Sequence, residues 1–420
     1  MSTYNRNALA DSNNNILWNK FGEVLRLVDS EDISMDYLES VLQRPNIKTR
    51  YRLLLLNPDE SVNYEIPQED IIINSGSFTE NYQSGQRKSL TIDLVNTDGK
   101  YTPSINSIWV HNRLRLDVGL EFDGNLYWFP RGVYILNNPT DYHILSDKKI
   151  SLSLSDKFAI FEGKSGTLET TYEIPVDSDI EGVIKGILGM DSGSGYPLDS
   201  KPIFYDNNLS GIKMPYTLTK DAGSTFGEIL LEIGVILNAE LYYNSQGNFC
   251  VVAINETSDD YQKASMWDYE EGKNDYFDSN INYDFENAVN EIHVVGDNIL
   301  NDLFYAKAVN DNPLSPICVQ RVGRRIDYIN DSGIYSDDLA KQRAQYELRK
   351  KMILGTILNV SVAFNPLLFV NNIVTITDSH YKIKKERYII QSISYTLGND
   401  SVMSLSCSNV NERVNSVLQM

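Results

Sequence analysis

Four histidines, three cysteines and one run of acids are the residues of this chain best suited to catalysis or metal binding. His111, His143, His293 and His380 are scattered, without the HExxH or HxxxH spacing that sets two imidazoles on one helix face. Cys250, Cys318 and Cys407 lie far apart with no CxxC, which argues against a zinc site and a disulfide framework and for buried free thiols. There is no GxSxG elbow and no Walker GxxxxGK[ST]. Ser192 and Ser194 sit near Asp191 and Asp199 in "GMDSGSGYPLDS", but no histidine is nearby to act as base, so a flexible linker is expected. The acidic run "DYEEGKNDYFDSNINYDFE", 268–286, is the remaining candidate, with Glu270, Glu271, Asp275, Asp278 and Asp284. Two carboxylates in a cleft suffice for glycoside hydrolysis. Asn280, Asn282 and Asp284 alternate, so on a strand they would offer oxygens on one face to Ca²⁺. The EF-hand ligand order is missing, and surface acids are nearly all solvated, so a solvated loop is expected. Arg321, Arg324 and Arg325 in "QRVGRRID" suit either an acidic neighbour or, as expected here, an ordinary loop. The expectation is no catalytic residue, no cofactor and no metal.

Composition narrows the class. A length of 420 residues exceeds one ordinary core, and 42% hydrophobic content suits a folded chain. The formal net charge of −20 disfavours sequence-independent DNA binding, which depends on Lys and Arg neutralising phosphates. The N-terminus lacks the basic-then-apolar pattern of a signal peptide, and no apolar run reaches membrane-spanning length. The chain is expected to be made and kept in solution. The 26 tyrosines are spread along strand patterns, which favours core packing and interfaces over a sugar-stacking platform.

The elements that would position these residues are mostly strands. Residues 16–28 carry a helical stripe, and "SMDYLESVLQ" is a second short helix ending before Pro45. From about 48 to 165, six strand-like runs alternate with turn clusters such as "NTDGK", as in an antiparallel barrel or sandwich. Arg113-Leu114-Arg115-Leu116-Asp117 predicts a strand with one wet face. The middle holds a helix in "SDIEGVIKGILG" capped by Ser178, and another in "STFGEILLEIGVILN" with Thr225 and Glu228 at capping-box spacing. A hairpin follows, turning at "NSQGN". Strands return from "ENAVNEIHVVGDN", interrupted by a helix at about 336–352 capped by Ser336. The expected division is a helical segment at 1–47, a first β domain at 48–165, a small α+β insert at 166–283 and a second β domain at 284–420.

The two β domains repeat one another. "NPLLFVNNIVTITD" (365–378) reads as two strand pieces meeting at Asn371-Asn372, and "SIWVHNRLRLD" (107–117) matches it in register. Ile108, Trp109 and Val110 align with Leu368, Phe369 and Val370; Asn112 aligns with Asn372; Leu114 and Leu116 align with Val374 and Ile376. "SLSLSD" (151–156) closes the first region as "SLSCSN" (404–409) closes the second, pairing Leu152 with Leu405 and Leu154 with Cys407. Alternating strands select the same residue types in any β protein, but two matches in the same order exceed that expectation.

These stretches resemble a known family. "NAVNEIHVVGDN", "YSDDLAKQRAQYELRKK" and "NPLLFVNNIVTITD" are similar to the C-terminal half of the central hub proteins of phage tails and baseplates. "SGSFTENYQSGQRKSLTIDLVNTDGKYTPS" with "FPRGVYIL" is similar to their N-terminal barrel, and the resemblance runs from about residue 48. It implies a mainly β fold with an α+β insert, in which two tube-like antiparallel β-barrel domains flank the small α+β domain. It also implies a homotrimer adapting a sixfold tail tube to a threefold spike around a channel, because two similar barrels in each of three chains give six patches. The implied partners are the tail tube protein, the spike protein and other baseplate proteins. DNA would pass through the channel without stable binding, and no membrane contact is expected. The implied place is the virion tail, after synthesis in the host cytoplasm. Some hubs carry an added wall-degrading domain; this chain is expected to end with its second barrel, which favours a contractile tail with a separate spike protein. The rival readings are a receptor- or glycan-binding tail-tip protein and a wall hydrolase, neither of which needs a duplicated barrel.

Overall fold

The computed structural model describes residues 35–410, apart from 45–46, 105–106, 111, 145–146, 192, 194, 255–264, 284–285, 287, 298–302, 314, 316, 332, 354–356 and 400–401. The helical stripe at 16–28 lies outside the described residues. Helix α1 (Met35–Leu42) buries Leu38, Val41 and Leu42 on the main core.

The first β region comprises β1 (Lys48–Leu56), β2 (Val62–Ile66), β3 (Ser77–Asn81), β4 (Lys88–Val95), β5 (Arg113–Phe122), β6 (Asn125–Leu136), β7 (Thr140–Ile144) and β8 (Asp147–Asp156). Its strands pair in the order β3-β4-β8-β6-β5-β1-β2, with β7 continuing the line of β6 along β8. The alternation in β5 does put Leu114 and Leu116 in the core. The opposite face is not wet, however. Asp117 is fully buried and accepts from Arg52 Nη2 at 2.8 Å and from Arg115 Nε at 2.8 Å. The chain beyond β8 meets this face at Arg113, which donates to Leu198 O at 2.8 Å, while Asp117 is paired inside its own region.

The middle of the chain is a separate α+β layer with its own core. It contains α2 (Ala159–Glu162), β9 (Tyr172–Ile174), α3 (Ile180–Leu188), β10 (Phe204–Tyr205), β11 (Leu218–Lys220), α4 (Phe226–Leu237), β12 (Ala239–Tyr243) and β13 (Phe249–Ala253). The cap of α3 is Asp179, whose carboxylate accepts from Gly182 N at 2.9 Å, and not Ser178 one residue earlier. Thr225 caps α4 as its spacing predicts, accepting from Glu228 N at 3.2 Å. A buried ion cluster fastens this layer to the first β region. Glu60 binds Arg113 at 2.6 Å and Lys201 at 2.8 Å, and it touches Lys157, whose ammonium also meets Asp199 at 2.8 Å. Burial pushes the Lys157 ammonium pKa down; for Glu60 burial raises it, and the two lysines outweigh that.

The second β region comprises β14 (Ser265–Glu270), β15 (Tyr276–Asn282), β19 (Ile357–Ala363), β20 (Ile373–Asp378), β21 (Ile383–Thr396) and β22 (Val402–Asn409). Pairing with β19 and β20 joins β14 and β15 to this region, a correction to the expected division, which ends the insert at 283. Between β15 and β19 lies a small unit of β16 (Glu291–Asp297), β17 (Leu303–Val309) and β18 (Ile326–Asn330), with α5 (Val319–Val322) and α6 (Asp337–Ile353). Helix α6 packs on β16 and β17 around a core of its own, capped by Ser336, which accepts from Leu339 N at 3.1 Å. The molecule is thus mainly β, largely antiparallel, with small helical inserts.

Candidate assembly interface

The second region runs β15-β19-β22-β21-β20-β14. Element for element this is the order β3-β4-β8-β6-β5-β1 of the first region. Registers agree residue by residue. Ile92 faces Leu152 as Val360 faces Leu405, and Leu90 faces Leu154 as Leu358 faces Cys407. Leu114 faces Tyr134 as Val374 faces Tyr388, an agreement the sequence comparison had not reached. Leu114, Leu116, Val374 and Ile376 are all fully buried. The two regions differ at one end: β1 is antiparallel to β5, whereas β14 is parallel to β20.

The asparagines make the same turn. Asn112 Oδ1 accepts from Trp109 N at 2.8 Å while Asn112 N donates to Trp109 O at 3.0 Å. Asn372 Oδ1 accepts from Phe369 N at 2.9 Å while Asn372 N donates to Phe369 O at 3.2 Å. The side chain satisfies a backbone donor that the reversal would otherwise strand. The piece before each turn is a bent segment and not the strand its apolar run suggested, since residues 107–110 and 366–371 turn and pair with no strand.

The regions meet along several contacts, among them the Tyr51 hydroxyl of β1 donating to Gly398 O at 3.0 Å. Strand β3 pairs antiparallel with the C-terminal half of β21, Thr79 opposite Ser394 and Phe78 opposite Tyr395, whose rings stack at 4.7 Å. Beside this ladder, the fully buried Arg131 crosses from β6 into the other region. It donates to Leu368 O at 3.1 Å and Asn365 O at 3.2 Å, with its guanidinium 4.6 Å from the Phe369 ring centre. A bulge between Leu116 and Asp117 frees Arg131 from the ladder. Gly132 permits the bulge, with φ of 144° and a Tyr134 hydroxyl 2.6 Å from where a Cβ would stand.

The acids at 268–286 are spread through this framework. Asp275 is buried and accepts from Trp267 Nε1 at 2.8 Å, Glu271 accepts from Ser379 N at 2.8 Å, and Glu270 pairs with Lys273 at 3.0 Å. Asp278, Asn280 and Asn282 lie along β15, and Asn280 accepts from Asn359 Nδ2 at 3.0 Å. Asp284, Ser192, Ser194 and His111 lie outside the described residues. No group of three His, Cys, Asp or Glu that could hold a metal ion exists among the described residues. Asp199 belongs to the ion cluster, and Tyr243 donates to it at 2.6 Å. His143 and His380 are exposed, and the three cysteines are buried and form no disulfide.

Among the described residues, His293 is the histidine whose ring joins a side-chain network, between Glu291 at 2.8 Å and the Tyr305 hydroxyl at 2.8 Å. Arg324 closes on the same carboxylate at 2.6 and 2.7 Å and holds Glu291 down to about 2; burial opposes this and His293 adds to it. Arg325 donates to Ala288 O at 2.6 Å and Arg321 to Pro313 O at 2.8 Å. All three arginines therefore bind their own chain.

A family described as a domain of unknown function, DUF5048, matches residues 314–412. No curated protein matches the chain in sequence. Among solved structures, the 43 kDa tail protein of prophage MuSo2 from Shewanella oneidensis is 12% identical, with a TM-score of 0.55, over 86% of this chain and 99% of that one. A tail protein from Neisseria meningitidis MC58 is 10% identical, with a TM-score of 0.57, over 87% and 99%. The PdpA–VgrG complex of Francisella gives 12% identity and a TM-score of 0.50, over 88% of this chain and 53% of its own. The hub resemblance seen in the sequence holds at the level of architecture: this chain has the fold of prophage tail proteins.

Proposed function

We propose that this chain is the structural hub of a phage tail baseplate or of a phage-derived contractile particle. The observation that carries the reading is the shared strand order of the two β regions, complete with its Asn turn. One chain holding two equivalent units can supply six quasi-equivalent patches from three copies, which reconciles a sixfold tube with a threefold spike. In this role the chain is a homotrimer around a channel, in contact with tube, spike and other baseplate proteins, in the virion tail. The formal charge of −20 per chain supports a DNA-repelling lumen. The role is not enzymatic. Native mass measurement should give three 47.7 kDa chains, and images should show a threefold ring. A single-chain mass at every concentration would sink the reading. Cell-wall material should stay intact, and clearing that depends on Glu270, Glu271 or Asp275 would contradict the non-enzymatic role.

One observation favours a second reading, a receptor- or glycan-binding tip. The face of the β16–β18 sheet opposite α6 exposes Tyr305, Tyr328, Leu303 and Ile326. Aromatic faces of this kind stack on sugars. Glycan binding abolished by Tyr328→Ala would move the assignment to this alternative.

A further inference from the structure

We infer that the junction between the two β regions is repeated between copies of this chain, with the second region of one copy joined to the first region of the next in a definable register. The inference rests on the hub reading and names its contact. Inside the chain, the first region contributes the β3 edge and the bulged Arg131; the second region contributes the C-terminal half of β21 and the segment before Asn372. The duplication places each of these parts once more, on faces that have no such neighbour among the described residues.

The equivalent of β3 is β15. Phe78 faces Leu90 as Ile281 faces Leu358, so Ile281 stands where Phe78 does. Among the described residues β15 pairs with β19 alone, and its outer edge carries no ladder. The equivalent of the C-terminal half of β21 is β7. Thr140 faces Ser151 as Ser394 faces Ser404, and among the described residues β7 pairs with β8 alone. The counterpart of Arg131 is Lys385, which also sits in a bulge, opposite Ile376 to Asp378, with φ of 51° and an exposed side chain.

Burial supplies the independent sign. Phe369 and Val370 are 0% and 4% exposed, with Arg131 of the first region over the Phe369 ring; their equivalents Trp109 and Val110 are 39% and 72% exposed. An apolar pair kept at the same place in both units, covered in one and bare in the other, marks a missing neighbour of the same kind. Phe277 on β15 and Tyr142 on β7, 52% and 41% exposed, lie on the two edges that would meet. Transferring the internal register sets Thr140 opposite Asn282, Asp141 opposite Ile281 and Tyr142 opposite Asn280 of the next copy. Lys385 then reaches toward Trp109 as Arg131 reaches Phe369. The contact is head-to-tail, so it closes as a ring and not as a twofold pair.

The test is a full-length Thr140→Cys/Asn282→Cys chain under mild oxidation; the three native thiols are buried. The expected product is a ladder of disulfide-linked chains ending at three. The off-register pair Thr140→Cys/Ile281→Cys should not link, because neighbouring strand residues point to opposite faces. Val110→Asp should move the native mass to one chain without altering that chain's melting, since Val110 touches solvent there. A stable trimer that neither links at 140 and 282 nor responds to Val110→Asp overturns this inference and leaves the hub reading standing. A single chain under all conditions overturns both.

Discussion

Phe369 and Trp109 hold the same place in two copies of one element, yet one is sealed and the other faces solvent. Each precedes an asparagine that makes the same pair of hydrogen bonds, and each is followed by strands of the same order. The difference lies in what stands beside them. Arg131 covers Phe369; the matching Lys385 on the second region extends into open space. Exposure here reports the neighbour and not the residue.

Arginine at the junction should give the largest effect. Truncating it in Arg131→Ala strips the partners from two buried carbonyls and opens a cavity, at a cost on the order of 3–5 kcal/mol. Lys385→Ala should stay within about 0.5 kcal/mol in the dissociated chain. Denaturant unfolding of both variants checks the contrast, and equal losses would erase it. Next come Leu152→Ala and Leu405→Ala, each about 2–5 kcal/mol, because each removes a side chain buried in the same core. If one is neutral, the registers are not equivalent in energy.

Asn112→Ala and Asn372→Ala should each cost about 1–2 kcal/mol, the loss of a side-chain acceptor that satisfies a turn N–H. A cost at one turn alone would show that the repeated asparagine is maintained for different reasons. The smallest effect belongs to the unit without a duplicate. The Glu291 carboxyl is held below its ordinary 4.5, so its stabilising share is present above that pH and is lost as pH falls toward 2. The parent chain should therefore lose more melting temperature between pH 5 and 2.5 than Arg324→Ala does.

Much of this was legible in the sequence because the duplication is written in local chemistry. The asparagine turn shows as a polar residue among apolar ones, and Leu152 and Leu405 show as alternation. Strands β14 and β15 were hidden by Glu270, Glu271, Asp275 and Asp278, whose acidity reads as a loop. Asp275 is in fact buried against Trp267, and β15 is sheltered at Tyr276 and half-sheltered at Ser279 and Ile281. The fate of Arg113 and Asp117 was misread because their partners, Glu60, Arg52 and the insert, are set by tertiary packing. Helix α3 was found and its cap missed by one residue, since Ser178 and Asp179 are both good caps. The junction itself left no local mark, as its two strands lie far apart in the chain.

That separation bears on how the protein is made. Strand β3 is synthesised well before the edge that receives it, Ser392–Thr396. At ordinary translation speeds the interval is roughly 15–60 s. Throughout it the nascent first region holds a bare strand edge, the feature by which β proteins aggregate. The charges that line and flank β3, Glu80 and Lys88, form an ion pair at 3.6 Å in the finished molecule. Before β21 arrives, they leave the edge less inviting to a neighbouring nascent chain.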